Sequence, residues 1–147
     1  MEYTVEQQPH GILLFLSSNN SDSVYQNTSY EFTVDLPGRI NLIGDWVASL
    51  TEFHGVIAKN QTFIDVYINI LSESFVGDRK GSIARRVFRT AKGNQRVFYQ
   101  AFTSDYYIPL KLNQFENIKV EIVGEKGESL APVREDTHLV LSIKPAE

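Results

Sequence analysis

Period-two alternation of apolar and polar side chains recurs along this chain and constrains its fold more than any other feature. Tyr30, Phe32, Val34 and Leu36 alternate with Glu31, Thr33 and Asp35. Ile64, Val66, Ile68 and Ile70 share one side of residues 63–70, and Ile118, Val120 and Ile122 alternate with Lys119 and Glu121. A strand throws successive side chains to opposite faces, so this period marks strands with a buried face. The residue supply agrees. Val, Ile, Thr, Phe, Tyr and Trp make up 50 of the 147 residues, against 7 alanines. β-Branched and aromatic side chains fit a pleated surface and lose rotamer freedom in helices. Only residues 22–26 and 111–116 are read as a helical turn each.

Further runs complete the pattern. Residues 11–16 form a short apolar run. The strand from Tyr30 is expected to end at the turn Pro37-Gly38. Residues 42–53 read as one long strand, with Gly44 a bulge and Trp46, Ala48 and Leu50 on its buried face. Residues 82–90, a broken pair at 96–102 and 106–110, and Leu139, Leu141 and Ile143 supply the rest. Counting the broken pair once gives eight strands. The expectation is an all-β chain, a single domain over 1–147, folded as an eight-stranded jelly-roll β-sandwich. The immunoglobulin-like rival lacks its Cys-Trp-Cys spacing.

Composition narrows the function classes. The chain has no cysteine, which excludes disulfides, thiolate metal sites and cysteine nucleophiles. The first residues carry glutamates and no basic n-region, so no signal peptide is read there. No stretch approaches the ~18 apolar residues of a membrane span. The sequons at Asn19, Asn27 and Asn60 read as polar turns. His10, His54 and His138 show no ligand spacing, and His54 reads as a turn histidine. No nucleophile elbow or Walker loop is present. Asp45 and Glu52 lie seven apart, on opposite faces of an ideal strand, so no carboxylate pair is read. The expectation is a non-enzyme with no cofactor and no metal.

Charge is unevenly placed. Arg79, Lys80, Arg85, Arg86, Arg89, Lys92 and Arg96 are half of the 14 basic residues, in a window without acids from Arg79 to Ser104. The whole chain carries a net charge of −4, which argues against general nucleic-acid binding. Arg85, Arg86, Arg89, Lys92 and Arg96 are therefore the candidate assembly interface. The plainer alternative has Arg85 and Arg89 pairing with acids on neighbouring strands.

Ile40-Asn41-Leu42-Ile43-Gly44-Asp45-Trp46-Val47-Ala48-Ser49-Leu50-Thr51-Glu52 resembles the early acid-Trp segment of penton, or minor capsid, proteins. These belong to Polinton (Maverick) elements, adintoviruses and related virophage-like double-stranded DNA viruses. Ser74-Phe75-Val76-Gly77-Asp78, followed by Ala84-Arg85-Arg86-Val87, resembles the family's V-G-D segment and the strand after it. Tyr106-Tyr107-Ile108-Pro109-Leu110 and Ile118-Lys119-Val120-Glu121-Ile122 match its later blocks. The resemblance implies a single jelly roll at the five-fold vertex of a virion. It also implies a homopentamer in contact with a double-jelly-roll major capsid protein. The competing reading is a carbohydrate- or ligand-binding β-sandwich module, suggested by Tyr106, Tyr107 and Phe115.

Overall fold

The computed structural model describes residues 2–5, 11–90 and 95–146. Among the described residues twelve strands run in chain order: β1 (Glu2–Val5), β2 (Ile12–Ser17), β3 (Glu31–Leu42), β4 (Trp46–Val56), β5 (Phe63–Ile68), β6 (Ser74–Val76), β7 (Arg79–Gly81), β8 (Ile83–Phe88), β9 (Val97–Ala101), β10 (Ile108–Pro109), β11 (Gln114–Val123) and β12 (His138–Pro145). No helix occurs among the described residues. One sheet has the order β1-β3-β11-β5-β8, and the other has β10-β4-β12-β2 with β9 also on β4. A small hairpin, β6-β7, stands apart. All pairings are antiparallel except β1 with β3.

The sequence reading counts eight strands where twelve are found. β1 is not among the eight, because Glu2, Tyr3 and Thr4 are exposed and only Val5 packs against the core, too little to write a period. The β6-β7 hairpin is only three residues a side, too short for a period to register. The broken pair separates into β9 and β10.

The two large sheets share one core. Phe32, Val34, Ile64, Val66, Ile68, Ile118, Val120 and Ile122 come from the first sheet. Leu14, Leu16, Ala48, Leu50, Phe53, Leu139, Leu141 and Ile143 come from the second. Fully burying side chains of this size stabilises a fold by roughly 1.5–3 kcal/mol each. Trp46 is 2% exposed and donates its indole N–H to the Ile43 carbonyl at 2.8 Å.

Several local expectations change. Pro37-Gly38 does not end the strand. β3 continues to Leu42 through a wide bulge in which residues 36–39 face Glu116 alone. Proline has no N–H to give a ladder, and a bulge is where a strand can hold one. Gly44 is no bulge but the turn between β3 and β4, at φ 93°. Thr51 is the extra residue on β4, between Leu50 opposite Leu141 and Glu52 opposite Val140. That insertion resets the alternation, so Leu50 and Phe53 are both buried. Residues 111–116 form no helical turn, since β11 begins at Gln114. Residues 22–26, by contrast, do take part in a hydrogen-bonded turn, in which the Val24 and Tyr25 N–H groups donate to the Ser21 carbonyl.

Buried polar groups tie the connections together. Thr137 donates its hydroxyl to the Ser29 carbonyl at 2.6 Å, and its N–H donates to the Ser18 hydroxyl at 3.0 Å. The Asn27 side chain donates to the Asn20 and Thr33 carbonyls and accepts from the Thr33 N–H. This sequon residue closes a turn, as the sequence suggests.

Candidate interaction edge

β8 and β5 pair with Ile64 opposite Val87, Asp65 opposite Arg86 and Val66 opposite Arg85. Arg86 lies directly across from Asp65. Its Nε donates to Asp65 Oδ1 at 2.8 Å and its Nη2 to Oδ2 at 3.1 Å. Its guanidinium also lies 3.8 Å from the centre of the Phe63 ring. Asp65 is fully buried. The hydrogen bonds to Asp65 raise the Arg86 pKa above the ordinary arginine range.

Arg85 turns the other way. Its Nη2 donates to the Ser104 carbonyl at 2.8 Å, and its guanidinium sits 4.2 Å from the Phe102 ring centre and 5.7 Å from that of Tyr106. Arg85 thus bridges the edge of one sheet to the β9-β10 connection at the edge of the other. Its Nε is buried and meets no partner among the described residues. Burial lowers its pKa, against the opposing effect of Asp105.

Arg89 donates to the Ile57 carbonyl at 3.2 Å and to the Gln95 carbonyl at 2.7 Å. Arg96 forms a two-point ion pair with Glu135 at 3.0 and 3.1 Å. Lys92 lies outside the described residues. Arg85, Arg86, Arg89 and Arg96 are each engaged within the chain, though not in the pairing of Arg85 and Arg89 with acids that the plainer alternative expects. Arg86 and Arg96 pair with acids, whereas Arg85 and Arg89 bind backbone carbonyls.

Beside Arg85 a cleft of about 690 Å³ opens between β8, the β6-β7 hairpin and the segment from Gln100 to Ile108. Among the described residues its lining holds two arginines, Arg85 and Arg86, and no carboxylate. Phe75, Tyr106 and Phe88 also line it and are 83%, 64% and 54% exposed. The sequence shows Tyr106 as an exposed aromatic but not its convergence with Phe75 and Phe88, which comes from segments distant in the chain. Phe115, grouped with Tyr106 on sequence, is buried in the core instead.

The histidines are placed differently from expectation. His54 lies within β4, directly opposite His138 on β12, with ring centres 5.5 Å apart. It is a strand residue because β4 runs on to Val56. His10 lies outside the described residues. Glu52 accepts the phenol hydrogen of Tyr99, which raises the Tyr99 pKa. Among the described residues no group of three or more metal-ligating side chains occurs. No helix there is long and apolar enough to cross a membrane. No protein-family model matches the chain, and no curated protein matches it.

Proposed function

We propose that this chain is a structural minor capsid protein, a penton subunit forming the pentameric vertices of an icosahedral capsid. Its fold, on this reading, is a single jelly roll with additions. The observation that carries the reading is the strand order. Taking β9 and β10 as one strand, the sheets run β2-β12-β4-β9/β10 and β3-β11-β5-β8. That interleaving is the order of two Greek keys wound into a jelly roll. β1 and the β6-β7 hairpin are then additions at its margins.

A fold is not a function, so the vertex role draws on the sequence resemblance. The acid-Trp pair sits where β4 begins, with Trp46 sealing the core. Val76-Gly77-Asp78 forms the turn of the β6-β7 hairpin, where Gly77 has φ 61°. The partners are further copies of the chain and a double-jelly-roll major capsid protein, and the location is the virion vertex. Electron microscopy of particles co-assembled with such a major capsid protein tests this. Density for five copies at each vertex is expected, and vertices that form equally well without this chain would refute it.

A second reading, a carbohydrate- or ligand-binding module, is favoured by the aromatic-rimmed cleft beside Arg85. Oligosaccharide binding by a monomer, lost on Tyr106→Ala, would support it.

A further inference from the structure

We propose that the cleft beside Arg85 receives an extended, acidic segment of a partner protein, which adds as a strand to the open edge of β8. The inference goes beyond the vertex reading and does not depend on it.

The backbone supplies the first argument. β8 is the last strand of its sheet. Arg89 N–H donates to the Thr62 carbonyl, so that pair is hydrogen-bonded across β5 and β8. Hydrogen-bonded and non-bonded pairs alternate along an antiparallel ladder. The next pair, Phe63 with Phe88, and the third, Asp65 with Arg86, are therefore the non-bonded ones. The N–H and C=O groups of Phe88 and Arg86 point away from β5, toward the open edge. An exposed row of this kind is a template for another strand.

The side chains supply the second argument. Among the described residues two arginines and no carboxylate line the cleft, with Asp105 just outside the lining and acting on Arg85. Arg86 is already bound at two points by Asp65. Arg85 holds the Ser104 carbonyl through Nη2, and its Nε is buried out of a ligand's reach. A carboxylate can therefore meet the terminal nitrogens of its guanidinium in a charge-assisted hydrogen bond. A nucleic-acid backbone would need a series of cations to neutralise successive phosphates. The exposed rings of Phe75, Phe88 and Tyr106 offer apolar ground for the alternate side chains of such a strand. Acidic and apolar residues in alternation are thus the chemistry the cleft reads.

The probe is a fluorescein-labelled peptide of about ten residues alternating glutamate with valine, enough to span β8. A peptide alternating lysine with valine is the control, and the readout is fluorescence anisotropy. The glutamate peptide binds and the lysine peptide does not. Phe88→Ala keeps the backbone N–H and retains most of the binding. Phe88→Pro removes that N–H from an edge where its own sheet does not use it, and weakens binding about tenfold or more. Arg85→Gln weakens it by about the same factor. Hydrogen exchange on the unmodified protein gives an independent readout should the proline variant fail to fold: the Arg86 and Phe88 amides become protected when the peptide is added. Equal binding of the two peptides, no binding of either, or unchanged exchange at those amides would overturn the proposal. Self-association abolished by Phe88→Pro would put a second copy in the cleft and overturn the choice of occupant.

Discussion

Asp65 and Arg86 face each other across β5 and β8, and the arginine grips both oxygens of a carboxylate that has no exposure to solvent. The pair joins the fold to the candidate edge, because one of the ribbon's cations is also what keeps a buried charge compensated. Arg86→Gln leaves that charge unpaired. Breaking a buried pair costs roughly 3–5 kcal/mol. Arg86 keeps 38% of its side chain exposed, so the low end applies, about 3 kcal/mol. For a chain of this size that lowers the melting temperature by about 6–12 °C. Asp65→Asn combined with Arg86→Gln recovers part of the loss. Thermal unfolding of the single and double variants checks this, and additive losses would mean the pair is not coupled.

Trp46→Ala removes the largest side chain from the core. A deletion of this kind costs roughly 3–5 kcal/mol, a large share of a typical ~5–15 kcal/mol stability. Trp46→Phe keeps most of the volume but leaves the Ile43 carbonyl without its donor, and costs less. Denaturant unfolding should rank native, then Phe, then Ala. An unshifted midpoint for Ala would place Trp46 outside the core.

Glu128 predicts an acid-side effect. Its own backbone N–H, the Gln61 amide and the Lys126 N–H hydrogen-bond its carboxylate and lower its pKa from 4.5. A carboxylate whose pKa falls on folding stabilises the fold above its unfolded value. That contribution is lost as pH falls through the folded value. The melting temperature should therefore drop below about pH 4.5, and Glu128→Gln should make that drop shallower. Parallel curves for the two proteins would remove Glu128 from the account.

The strands with one wet face were legible because burial itself writes a period of two. β3, β5 and β11 stand where Phe32, Val66 and Val120 put them. Bulges were not legible, since Thr51 is an extra residue only relative to β12. The same holds for Ala84, skipped where the β5-β8 register passes from Val66 opposite Arg85 to Tyr67 opposite Ile83. The basic ribbon was visible as composition, but its partners were not. Arg86 meets Asp65 from 21 positions away and Arg89 meets Ile57 from 32. Pairings that long depend on sheet order, which local pattern does not carry. Glutamine at Arg86, Arg89 and Lys92 together would thus disturb folding before it could report on assembly. Lys80, exposed on β7, is the safer probe: Lys80→Gln should leave the melting temperature unchanged within about 0.5 kcal/mol of stability.

Sedimentation equilibrium across a range of salt concentrations tests the vertex assignment most directly. The account predicts a species of five times the 16.7 kDa chain mass at low salt. A single-chain mass at every protein and salt concentration would contradict it.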